Sequence, residues 1–199
     1  MVLRVIGGEF RGRSLASTRG RGTRPLRGQV REALFNIIAD RVADAEVLDL
    51  FAGTGCTGIE ALSRGARGVT FVEKNNHALA VLRENLSLLL GEEADERTEV
   101  RKADAWEPAE EDGSGPDIIF LDPPYSSVAE DPVRAACRAI RLVDRLAPGG
   151  VLCFHFEEGV LDEDDFDADL DVDLRRWGRS AVALIESRAS AVDSAVAAE

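Results

Sequence analysis

No apolar run in the 199 residues approaches the roughly 18 that a membrane helix needs, so no spanning segment is expected. The opening stretch MVLRVIGGEFRGR lacks the apolar core of a secretory signal, and the expected location is the cytoplasm. Cysteine is sparse. Cys56, Cys137 and Cys153 stand apart, with no Cys-x-x-Cys and no Cys/His pairing, which argues against a disulfide framework and a zinc site. No metal is expected. Histidine is rarer still: His77 and His155 are the only two, and each is expected as a surface or core side chain rather than a catalyst. Lysine is almost missing, since only Lys74 and Lys102 stand among 24 basic residues. Many acids with few lysines fit either adaptation to high salt or a compositional bias of the genome.

What remains is a globular composition, 45% hydrophobic and 31% charged, on a chain long enough for one domain with a substantial core. The net charge of −13 argues at first against a nucleic-acid partner. Its distribution argues the other way. Residues 1–28 hold seven arginines against the single acid Glu9, a net of +6, which leaves −19 on the other 171 residues. This reads as a basic arm that can meet a polyanion, joined to an acidic domain. The expected organisation is a basic N-terminal extension of hairpin and loop (1–28), a folded domain (29–188) and a tail with no signal for order (189–199).

Strand and helix patterns alternate. VLRVI (2–6) and the Ser14–Ser17 region suggest a small hairpin, and RGTRP (21–25) a loop. Helical periods cover 29–39, 57–64, 75–90 and 132–146, with Gly91 closing the third. Buried strands are expected over 46–51, 68–72, 97–102, 117–121 and 151–155, and a closing pair over 170–175 and 180–186. The acidic stretch 161–171 reads as a mobile loop. Alternation of this kind gives an α/β fold, a parallel sheet covered on both faces, with its ligand site at the carboxyl ends of the strands. Asp49, Glu73, Asp104 and Asp122 fall at or near successive strand ends, so they are expected along one edge of the sheet.

The stretch DLFAGTGCTG (49–58) contains Gly53-x-Gly55-x-x-Gly58, and Glu73 lies 20 residues after Gly53. Together they match the dinucleotide fingerprint, which keeps a nicotinamide enzyme in view. Asp49 weighs against it, because a carboxylate at this turn repels a pyrophosphate. S-adenosylmethionine carries an ammonium and a sulfonium and no phosphate. For that ligand Asp49 can accept from the ammonium, Glu73 from the ribose hydroxyls and Asp104 from the adenine amino group.

The run IIFLDPPYSS (118–127) ends a buried strand on Asp122 and then fixes the backbone with Pro123 and Pro124 before Tyr125. In order, DLFAGTGCTG, FVEK (71–74), Asp104 and DPPY resemble a class I methyltransferase acting on an exocyclic amino group. With RVIGGEFRGRSL (4–15), TRPLRGQVREALFN (23–36) and DLFAGTGCTGIEALSRGA (49–66), the chain more closely resembles the bacterial RsmD family of 16S rRNA guanine-N2 methyltransferases, over about residues 3–186. Two departures stand out: Leu26, Arg27 and Gly28 replace polar residues usual in that loop, and 157–172 has no obvious counterpart.

The resemblance implies a Rossmann-like fold, seven-stranded and mostly parallel with one reversed strand, that uses S-adenosylmethionine as methyl donor. It implies a guanine of 16S rRNA, within a small-subunit assembly intermediate, as substrate. DNA adenine N6 or another amino group is the alternative. The cofactor would be held by Asp49, Phe51, Gly53, Thr54, Gly55, Glu73, Lys74, Asp104 and Ala105. Asp122, Pro123, Pro124 and Tyr125 would carry the chemistry, with Tyr125 stacking on the extruded base. Arg24 and Arg31, then Arg11 and Arg13, would bind RNA phosphates. A monomer is expected.

Overall fold

Short apolar runs and helical periods become strands and helices in turn in the computed structural model, which describes residues 3–18, 28–108 and 115–187. The chain forms two compact units that divide after residue 109.

In the first unit, β1 (Leu3–Arg4) and β2 (Ser14–Leu15) pair as the expected antiparallel hairpin. Then come α1 (Gly28–Ile37), α2 (Ala39–Val42), β3 (Glu46–Leu50), α3 (Cys56–Ser63), β4 (Gly68–Glu73), α4 (Asn76–Leu90), α5 (Ala94–Arg97) and β5 (Thr98–Lys102). Strands run parallel in the order β5-β4-β3. Val47, Leu48, Asp49 and Leu50 of β3 are all buried, as both faces of a helix-covered parallel sheet require. The long helix α4 starts where the Asn75 side chain accepts the His77 and Ala78 N–H groups. It stops at Gly91, whose φ of 59° a side chain rarely adopts.

The hairpin is bonded into this unit rather than standing off as an extension. Glu60 of α3, fully buried, accepts the N–H groups of Ile6 (2.8 Å) and Gly7 (2.7 Å). Ser63 Oγ accepts from the Phe10 N–H at 2.9 Å. Gly8 passes so close that a Cβ there would lie 1.7 Å from the Ser63 carbonyl oxygen. The Asn85 amide of α4 pairs with both the N–H and the C=O of Ala16.

The second unit holds β6 (Ile118–Leu121), α6 (Tyr125–Ala129), α7 (Pro132–Val143), β7 (Val151–Glu157), β8 (Leu170–Trp177) and β9 (Ser180–Ser187). Its strand order is β6-β7-β9-β8, with β9 antiparallel to both neighbours. Every residue of β6 and all but the last of β7 are buried. The acidic stretch is pinned: Leu161 and Phe166 are buried, and a 3-10 turn at Glu163–Asp165 is closed by Asp162 and Asp165. The helix α6 is not foreshadowed by a hydrophobic period, because it is a single short turn set off by Pro124.

Beyond the β1-β2 hairpin, the two units together hold seven strands, mostly parallel, with β9 reversed against its neighbours, the fold class expected. No helix among the described residues is long and apolar enough to cross a membrane. The expected tail beyond residue 188 lies outside the described residues, as do Arg24, Leu26 and Arg27.

Candidate active site

In the first unit, the glycine loop links the end of β3 to α3. Phe51 takes a φ of 62°, unusual for a side-chain-bearing residue, and so turns the chain sharply after the strand. Two glycines have different causes. A Cβ on Gly58 would sit 2.4 Å from the Phe71 ring, so Gly58 lets α3 lie close against β4. A Cβ on Gly53 would meet only the Phe51 carbonyl oxygen, at 3.9 Å, so this part of the loop faces open space.

Three acids stand at the carboxyl ends of the three parallel strands, as expected. Asp49 is 1% exposed, and its Oδ2 accepts the Gly58 N–H at 2.9 Å. Glu73 accepts the Gly53 N–H at 2.9 Å through Oε2 and the Asn75 N–H at 2.7 Å through Oε1. A carboxylate oxygen accepts two hydrogen bonds, so both Glu73 oxygens retain acceptor capacity. Asp104 accepts the Trp106 N–H at 3.1 Å and pairs with Lys74 at 3.4 Å, both side chains largely exposed. Ala105 is buried beside it.

Two residues of this site lie outside every motif of the sequence. The Trp106 ring meets the Phe51 ring edge-on, with centroids 5.1 Å apart. Asn85, fully buried, donates to the Thr54 carbonyl at 3.0 Å while it holds Ala16, so one amide braces the glycine loop against the hairpin. Among the sequence features, only the break in the apolar stripe of α4 marks it.

In the second unit, Asp122 follows β6 directly. Its Oδ1 contacts His155 Nδ1 at 2.6 Å, and its Oδ2 has no partner among the described residues. Pro123 is buried, and its carbonyl makes no hydrogen bond among the described residues. The Pro124 carbonyl, by contrast, is taken by the N–H and hydroxyl of Ser127. Tyr125 opens α6, and its hydroxyl lies 2.9 Å from both His155 Nε2 and Ser180 Oγ. His155, expected to be inert, is thus the centre of this cluster.

Arg11 and Arg13 are exposed in the hairpin turn, as RNA contacts must be. Arg31 is not. It is 2% exposed, donates to the Arg4 carbonyl at 2.6 Å and lies 3.6 Å from Glu60. That spacing is an ion pair rather than a hydrogen bond, and Arg31 Nε and Nη1 make none. The expectation that Arg31 meets RNA is corrected: helix α1 turns it into the interior, opposite the buried Glu60 that its charge balances.

Known proteins resemble this chain over most of its length. Residues 3–186 match the pattern of a family described as conserved hypothetical protein 95. Ribosomal RNA small subunit methyltransferase D of Escherichia coli K12 is 40% identical over 123 residues, 62% of this chain and 60% of that protein. The chain thus aligns with three fifths of that relative's length. The Haemophilus influenzae protein of the same name is 36% identical over 138 residues, 68% of this chain and 70% of the relative. A solved Escherichia coli structure, the candidate methyltransferase yhhF, superposes with a TM-score of 0.76 at 30% identity, covering 95% of this chain and 99% of the other.

Proposed function

The chain belongs to the conserved hypothetical protein 95 family, and from that premise we propose that it transfers a methyl group from S-adenosylmethionine to an exocyclic amino group of small-subunit ribosomal RNA, the N2 of a guanine in 16S rRNA. The relatives' names support the RNA class. The guanine N2 rests on the motif resemblance and on chemistry.

The donor set of the first unit suits the cofactor. A buried carboxylate, Asp49, and two more at Glu73 and Asp104 surround a loop whose Gly53 faces open space. Such a set favours a ligand with an ammonium and hydroxyls over one with a pyrophosphate. Asp49 would hold the ammonium and Glu73 the ribose. Phe51, Thr54, Gly55, Lys74, Asp104 and Ala105 would complete the cradle. When bound, S-adenosylmethionine supplies an electrophilic methyl group, its C–S bond breaking as the C–N bond forms and sulfur keeping the electron pair.

The observation that carries the reading is Asp122, with one oxygen held and, among the described residues, no partner on the other oxygen or on the Pro123 carbonyl next to it. A purine amino group is a weak nucleophile, because its lone pair is delocalised into the ring. Two acceptors on its two N–H bonds draw it towards a pyramidal geometry and localise that pair. Asp122 Oδ2 and the Pro123 carbonyl are such acceptors, already in place when the base arrives. After alkylation the nitrogen loses one proton, for which Asp122 is the nearest acceptor in this scheme. The ring of Tyr125 offers a stacking face to the extruded base.

Isothermal titration with S-adenosylmethionine and with NAD tests the cofactor. Binding of the first alone is expected; tight binding of NAD with none of S-adenosylmethionine would return the glycine loop to a dinucleotide enzyme.

A further inference from the structure

We propose that His155 is a positioning residue for Asp122, and that Tyr125 and Ser180 lock its imidazole in the tautomer that the task needs. The inference rests on the amino-methyltransferase reading above and goes beyond it to a residue that no motif marks.

The chain of contacts has a direction. An ionised Asp122 only accepts hydrogen bonds, so the 2.6 Å contact requires the proton on His155 Nδ1. In a neutral ring Nε2 is then an acceptor, and the Tyr125 hydroxyl, 2.9 Å away, donates to it. The Tyr125 oxygen accepts in turn from Ser180 Oγ at 2.9 Å. A charged ring would reverse the two hydroxyl bonds and leave the Asp122 contact as it is.

Burial makes the arrangement rigid. His155 is 5% exposed and Ser180 is 4% exposed, whereas the Asp122 side chain is 21% exposed. The ring of Tyr125 also packs edge-on to the imidazole, with centroids 5.2 Å apart. The parts come from four places that secondary structure holds fixed: the end of β6, the start of α6, the middle of β7 and the start of β9. Strand pairing sets the last two, because His155 lies opposite Val182 and Ser180 opposite Glu157 in the antiparallel ladder.

The consequence falls on Asp122 Oδ2. An isolated carboxylate at a strand end can rotate and present either oxygen or neither. With Oδ1 tied to Nδ1–H, the rotation is stopped, and Oδ2 is left aimed and unengaged for the substrate N–H. Tyr125 therefore has two duties in one side chain: its face towards the base, and its hydroxyl towards the tautomer lock.

The test uses the full chain with His155→Leu, His155→Asn and Tyr125→Phe. An asparagine amide can stand where Nδ1–H stood, while leucine cannot donate. Leucine is expected to lower kcat by roughly 10- to 100-fold with KM and the Kd for S-adenosylmethionine within threefold of wild type. Asparagine is expected to restore most of the loss. Nitrogen-15 NMR of the imidazole, read without cofactor or substrate, should show Nδ1 protonated in wild type and a mixed tautomer in Tyr125→Phe. Wild-type kcat in His155→Leu, or an Nε2–H tautomer in the resting protein, would overturn the proposal even if methyl transfer is intact. Absence of methyl transfer by the wild type on any RNA, with the Nδ1–H tautomer present, would instead remove the reading beneath it and overturn the catalytic role. If leucine disturbs folding, the asparagine variant and the NMR readout decide alone.

Discussion

At the scale of single residues, Asp122 and Tyr125 stand three positions apart in the chain and differ in duty. If Asp122 is the proposed acceptor in the transition state, Asp122→Ala should lower kcat by roughly 100- to 1,000-fold. The Kd for S-adenosylmethionine should stay within a few-fold, because the cofactor carboxylates are other residues. Titration calorimetry and single-turnover kinetics separate the two; near-normal turnover would remove Asp122 from the mechanism. Tyr125 is read by comparing two variants. Phenylalanine keeps the ring and loses the hydroxyl contacts to His155 and Ser180. Alanine loses both. The extra rise in KM from phenylalanine to alanine measures stacking, worth about 1–3 kcal/mol. Equal KM values for the two would show that the base does not stack there.

Elements bring such residues together, and the buried Glu60 of α3 shows how. It holds two hairpin N–H groups, bonds Arg64 at 2.9 Å and balances the buried Arg31. Glu60→Ala would leave a buried cation uncompensated and is expected to cost about 3–5 kcal/mol, measured by urea denaturation. Limited proteolysis should then cut within the hairpin. A loss under about 1 kcal/mol would mean that the hairpin is held by apolar contacts instead. The same elements explain what was legible in the sequence. DPPY and the glycine loop stand out in the sequence because the turn, the prolines and the acid are neighbours in the chain. His155 could not, because its partners Asp122 and Tyr125 lie 33 and 30 residues away and meet it through the fold. Asn85 and Glu60 escaped for the same reason. Arg31 was misread because a helical arginine in a basic segment has the same sequence signature whether it faces water or a buried acid.

Across the whole molecule, charge is segregated. The hairpin turn exposes Arg11 and Arg13 on a chain of net charge −13. If both neutralise phosphates, log affinity for RNA falls linearly with log salt, and replacing each by alanine should flatten that slope by about 1. Filter binding over a salt series gives the number; unchanged slopes would move the RNA to another surface. The proposed reaction is defined by the group that receives the methyl. The direct measurement is mass spectrometry of nucleosides after 30S particles, naked 16S rRNA and DNA are incubated in parallel with labelled S-adenosylmethionine. N2-methylguanosine in ribosomal RNA and no label in DNA are expected. N6-methyladenine in DNA, or a labelled RNA nucleoside other than N2-methylguanosine, would contradict the proposed reaction.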